Sequence, residues 1–84
     1  MKTQIIMPRC GVDMEEGTLI QWYKQEGELI KKGEPFFSIE TDKAVQDMES
    51  DCDGYLRRVI VHEGETVLVG TTVAIITTSL EDAY

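Results

Sequence analysis

Basic residues are scarce in this chain: eight lysines and arginines stand against sixteen aspartates and glutamates, a formal net charge of −8. That deficit opposes a phosphate-backbone partner, since affinity for nucleic acid comes largely from cationic side chains. Length is lacking too. A chain of 84 residues makes one small domain, which buries only about 60% of the surface its unfolded form exposes, and no large catalytic core fits. Cysteine occurs twice, at Cys10 and Cys52, and neither belongs to a C-x-x-C pair, so reduced thiols are a simpler reading than a metal site. There is no long apolar run and no Arg/Ser-rich presequence after Met1-Lys2-Thr3-Gln4; neither export nor a membrane span is expected. The 42% hydrophobic fraction beside 29% charge is an ordinary globular balance, so the acidity does not imply disorder.

What is present is a repeat. Displacing the sequence by 37 positions superposes Gly17 on Gly54, Leu19 on Leu56, Glu26-Gly27-Glu28 on Glu63-Gly64-Glu65, Gly33 on Gly70, Ile39 on Ile76 and Thr41 on Thr78, without a gap. A fixed internal period marks one unit used twice, here with a pseudo-two-fold axis between the copies. Each copy runs glycine, β-rich segment, Glu-Gly-Glu turn, short apolar strand, glycine, β-rich segment. Strands are expected at Thr3–Met7, Gly17–Tyr23, Glu28–Ile30, Pro35–Glu40, Ala44–Ser50, Gly54–Val61, Thr66–Val67 and Val73–Thr77, and no helix. Alternation breaks between Leu19 and Trp22, and again between Leu56 and Val59, which predicts a matched β-bulge in the two copies. The fold class is all-β: a flattened barrel or sandwich of two four-stranded antiparallel sheets, a barrel-sandwich hybrid. The domain is read as residues 1–79, with 80–84 as a tail or the start of a linker.

Between the copies, Ile39-Glu40-Thr41 leads into Asp42-Lys43 and Val45-Gln46-Asp47-Met48 leads out, which places Asp42 and Lys43 at a tight hairpin tip. An exposed lysine is ordinarily a solvated charge that protects a sheet edge. The phrase Glu40-Thr41-Asp42-Lys43-Ala44 at the junction of two repeats, however, closely resembles the lipoyl domains of 2-oxo acid dehydrogenase complexes. So do Met7-Pro8, Met14-Glu15-Glu16-Gly17-Thr18, Trp22, Lys32-Gly33-Glu34-Pro35 and the repeat glycines; together they span about Gln4 to Thr78.

This resemblance implies that Lys43 carries covalent lipoic acid, attached by a lipoate ligase or lipoyl-transfer enzymes. The chain would then be a carrier, not an enzyme, within a dihydrolipoamide acyltransferase. Its partners would be a thiamine-diphosphate 2-oxo acid dehydrogenase, the acyltransferase catalytic domain and dihydrolipoyl dehydrogenase, with no nucleic acid and no membrane. The phrases look most like those of pyruvate or acetoin systems. The resemblance also implies recognition by Glu40, Thr41, Asp42 and Ala44 around the tip and by Arg9, Cys10, Gly11, Val12, Asp13, Met14 and Glu15 in the loop after the first strand. The compartment implied is the cytoplasm, or the mitochondrial matrix for a piece of a longer eukaryotic precursor. A biotin carrier shares the fold, but usually brackets its lysine with methionines where this chain has Asp42 and Ala44. An unmodified adaptor of the same fold is the reading from another class.

Cys10 is expected as a small apolar filler. Asp47, Glu49, Asp51 and Asp53 alternate and are expected to share one strand face, forming with Glu40 and Asp42 an acidic patch that steers basic partner surfaces. Glu49-x-Asp51-x-Asp53-Gly54 opens like a calcium loop, but Ile60 stands where a bidentate glutamate is needed. His62 has no partner at ligand spacing and reads as a surface residue. Trp22, the repeat equivalent of Val59, reads as core.

Overall fold

Eight short strands and no helix form among residues 2–42 and 44–83, which the computed structural model describes. They are β1 (Lys2–Ile6), β2 (Glu16–Trp22), β3 (Leu29–Ile30), β4 (Pro35–Glu40), β5 (Val45–Glu49), β6 (Gly54–Val59), β7 (Thr66–Leu68) and β8 (Thr72–Thr77). Every expected strand is present, with ends displaced by at most two residues. All pairings are antiparallel, in sheets of order β1-β8-β6-β3 and β5-β4-β2-β7. Exchanging β1 with β5, β2 with β6, β3 with β7 and β4 with β8 converts one sheet into the other. The register obeys the same exchange: Gly17 pairs with Val67, and Gly54 with Ile30.

The broken alternation is a bulge in both copies. β2 skips a residue between Leu19 and Gln21 against β4, and β6 skips one between Leu56 and Arg58 against β8. A bulge disrupts the ladder locally, and a carboxylate from the opposite copy meets a backbone N–H just beyond it. Trp22 N–H donates to Glu63 at 3.0 Å, and Val59 N–H to Glu26 at 2.8 Å. The second glutamate of each Glu-Gly-Glu ties its own turn: Glu28 accepts from Gln25 N–H at 2.9 Å and Glu65 from His62 N–H at 2.6 Å. The glycines between them lie at φ of 94° and 91°, where a Cβ is strained. Their N–H groups donate across the copies, Gly27 to Leu56 O and Gly64 to Leu19 O. The repeated motif is therefore the clasp that fastens each half to the other.

Leu19, Ile30, Phe36, Phe37, Ile39, Leu56, Val73 and Ile76 fill the interior with Met7. Trp22 packs on this core as expected, 5.1 Å from the Phe37 ring and 6.3 Å from Phe36, and donates its indole N–H to Val61 O at 2.9 Å. Beyond β8 the chain folds back on the body. One Arg57 nitrogen donates to Thr77 Oγ1, Ser79 O and Asp82 O, at 3.1 to 3.2 Å.

The acidic series does not share a strand. β5 ends at Glu49, because Ser50 is locked by its N–H to Glu34 O and by Gly33 N–H to its own carbonyl, and the chain turns there. Asp47 and Glu49 remain on one outer face of β5; Asp51 and Asp53 lie beyond it, and Asp53 accepts Lys32 N–H at 2.7 Å. Nor is Asp47 a free charge, since Tyr23 O–H donates to it at 2.8 Å.

Candidate functional site

The hairpin between β4 and β5 is closed by Thr41 N–H donating to Ala44 O at 2.9 Å. The Thr41 hydroxyl reinforces it, accepting Ala44 N–H at 3.3 Å and lying 3.2 Å from Ala44 O as donor. Asp42 and Ala44 are exposed, as is Glu40, and Thr41 is half-buried. Lys43 lies outside the described residues. Its two chain neighbours are thus exposed members of a turn whose ends are tied to each other.

Beside this tip runs the β1–β2 loop, the place where the two copies differ most. Ile5 pairs with Ala74, and Met48 pairs with Phe37, the repeat equivalent of Ala74, so Ile5 and Met48 are counterparts. They are 43 positions apart instead of 37, so six more residues lie between Ile5 and Gly17, across the β1–β2 loop, than between Met48 and Gly54. The excess is folded upon itself: an Arg9 guanidinium nitrogen donates to Val12 O, Met14 N–H to Gly11 O and Cys10 N–H to Met14 Sδ, each at 3.1 Å.

Two clefts flank the tip. One, of about 400 Å³, runs between the loop and β4 and is lined by Asp13, Glu15, Glu16, Glu40 and Asp42, with Thr18 and Thr66 bonded hydroxyl to hydroxyl at 2.7 Å on its wall. The other, of about 260 Å³, lies between Cys10, Gly11, Val12 and Asp13 on the loop and Asp42, Ala44 and Gln46 on the hairpin. The tip residues and most of the loop named from the sequence therefore converge, whereas Arg9 braces the loop without lining either cleft. The acidity beside the tip comes from the loop and β2, not from the far end of β5.

One expectation about the loop is overturned. Cys10 is exposed and not a filler, because its N–H is pinned to the Met14 sulfur while its side chain stays outside the core. Met14 takes the inward position, with 8% of its surface exposed. Val12, by contrast, is 89% exposed. Both cysteines are free thiols, and His62 is an exposed residue whose ring stands 3.3 Å from Glu65. Glu16, Thr18, Thr66 and Gln46 line the clefts without having been singled out. Position beside Gly17 was a signal for Glu16 and Thr18; for Thr66, on a strand remote in sequence, there was none.

A family model described as biotin-requiring enzyme matches residues 3–76. Among curated proteins, an acetyltransferase component of the chloroplastic pyruvate dehydrogenase complex of Arabidopsis thaliana is 42% identical over 73 residues, 87% of this chain and 15% of the relative. The acetyltransferase component of the acetoin cleaving system of Pseudomonas putida is 39% identical over 86% of this chain and 20% of its own length. The chain thus spans a fifth or less of these relatives. Among solved structures, the lipoyl domain of the 2-oxoglutarate dehydrogenase complex of Azotobacter vinelandii superposes with a TM-score of 0.75 at 34% identity, covering 88% of this chain and 94% of that one.

Proposed function

The chain belongs to the biotinyl- and lipoyl-attachment family, and from that premise we propose that it is a lipoyl carrier domain in which Lys43 bears lipoic acid through an amide of its ε-amine. The observation that carries this reading is the tied turn: Thr41 and Ala44 close the hairpin on either side of Asp42-Lys43, and both chain neighbours of the lysine are exposed. A ligase needs an amine it can reach on a surface that does not move under it. Asp42 and Ala44 in place of flanking methionines favour lipoate over biotin. The relatives' names, dihydrolipoyllysine-residue acetyltransferases of pyruvate and acetoin systems, support the same choice.

Bound lipoate supplies a dithiolane that accepts an acyl group with reduction and is reoxidised afterwards. This chain's own part is to hold and present. The ladder from β4 to β5 fixes the tip, Tyr23 O–H on Asp47 fastens β5 across β4, and the clefts beside the tip offer carboxylates and the exposed Val12 to a partner. Tethering the group to a rigid body replaces a bimolecular encounter at each step with a high local concentration. The partners on this reading are a lipoate ligase or lipoyl-transfer enzyme, a thiamine-diphosphate 2-oxo acid dehydrogenase of pyruvate or acetoin type, the acyltransferase catalytic domain and dihydrolipoyl dehydrogenase. Recognition falls to Glu40, Thr41, Asp42 and Ala44 with the loop from Arg9 to Glu15, and the folded unit is residues 1–79 with the clasped turn following it.

Intact mass after incubation with ATP, lipoate and a lipoate ligase, beside a parallel reaction with biotin and a biotin ligase, tests the assignment. A single lipoyl increment that disappears in Lys43→Ala is expected. A biotinyl increment in its place would move the domain to the carboxylase carriers, and no increment on a folded domain would leave an unmodified adaptor.

A further inference from the structure

The six extra residues of the β1–β2 loop make no strand pairing of their own, and something must hold them in one shape. Met14 is placed to do so. Its sulfur accepts Cys10 N–H at 3.1 Å and its backbone N–H donates to Gly11 O, so Met14 closes the turn that projects Val12 by holding the two residues that precede it. Its side chain is the one buried between Arg9 and Glu16, and its methyl reaches the bare Cα of Gly17: a methyl group built there would stand 2.9 Å from Met14 Cε and 2.9 Å from Met7 Sδ. The equivalent Gly54 faces Ile76 and the Thr77 carbonyl instead, so this copy alone uses the glycine as a notch for a methionine.

We propose that Met14 is a positioning residue: it anchors the β1–β2 loop so that Val12 and Asp13 stand ready beside the tip for the acylating enzyme. The proposal rests on the carrier reading above and deepens it. A thioether is a weak acceptor, yet a flexible and polarisable one that fills irregular gaps. A loop already held in its bound shape loses less conformational freedom on docking, which favours the encounter complex. The anchor acts on binding and leaves the lysine itself alone.

The lipoylated domain as substrate of a bacterial pyruvate dehydrogenase component, with amide exchange followed by NMR, tests this on Met14→Ala and Met14→Leu. Val59→Ala, a half-buried change remote from the loop in sequence, serves as the control for general destabilisation. In Met14→Ala, exchange protection of the Cys10 and Met14 amides is expected to fall about tenfold, and KM for the domain to rise about tenfold with kcat within about twofold. Met14→Leu keeps the volume but not the sulfur acceptor and should fall between. Should Met14→Ala fail to fold, the Met14→Leu comparison stands alone with the same signs. Unchanged loop protection and KM in a folded Met14→Ala, or an equal KM rise in Val59→Ala, would overturn the anchor. If the lipoylated parent is not acylated at all, the carrier reading fails, and the exchange rates by themselves decide the anchor.

Discussion

Gly17 and Gly54 occupy equivalent positions in the two copies, yet a side chain added at each would meet different things. At Gly54 a Cβ would stand 2.5 Å from Ile76 Cγ2 and 2.9 Å from the Thr77 carbonyl oxygen, a branched core side chain and a backbone that cannot swing aside. At Gly17 the obstacles are the ends of two methionines, which can. Gly54→Ala is therefore expected to destabilise by about 2–3 kcal/mol, toward the upper part of the range for overpacking, and Gly17→Ala by about 1 kcal/mol. Urea unfolding of the pair measures both; equal losses would mean that the notch around Gly17 is as rigid as the core. At this scale the sequence was legible where a residue type has one conformational reason to be present, as at Gly27 and Gly64. Cys10 and Met14 were not legible, because which of two small-to-medium apolar residues turns inward depends on the path of the loop.

Among the elements, the Glu-Gly-Glu turns and the bulges form one device, since the carboxylate of one copy meets the N–H beyond the bulge of the other. Removing either carboxylate leaves that donor to solvent or unmet. Glu26→Ala and Glu63→Ala should each lower stability by about 1 kcal/mol, the usual net worth of one such hydrogen bond. Two-fold symmetry makes the two losses alike, whereas Glu49→Ala on the outer face of β5 should change stability by less than about 0.5 kcal/mol. Chemical denaturation midpoints at constant m-value give the comparison. The elements themselves were readable because period-two alternation and turn glycines are local signals. The end of β5 was not, since Ser50 is stopped by Gly33 and Glu34 on a segment distant in sequence.

For the molecule as a whole, acid is the condition that tests its turns. The Glu65 carboxyl titrates below the ordinary carboxylate range, chiefly because it accepts the His62 backbone N–H, and Glu34 does so chiefly because it accepts the Lys31 backbone N–H. A carboxyl with a lowered folded-state pKa is bound to more protons when unfolded, so its contribution is complete above the unfolded value and disappears as pH falls through the folded one. Stability is expected to hold from neutrality down to the ordinary carboxylate range and to decline below it. Thermal unfolding from pH 7 to about pH 3 should show a shallower decline in a Glu34→Gln, Glu65→Gln double variant; an unaltered slope would remove these two groups as its source.

The sequence by itself determined the repeat, the eight strands, the matched bulges and a hairpin between the halves. Each is carried by neighbours a few residues apart or by the period of 37. Only the tertiary structure decided what surrounds that hairpin. Glu16 and Thr18 come to it from β2, Thr66 from β7, and the β1–β2 loop reaches it with six more residues than the equivalent connection from β5 to β6. Surroundings of this kind depend on which strands the sheets bring side by side, and that is set by packing between residues far apart in the chain.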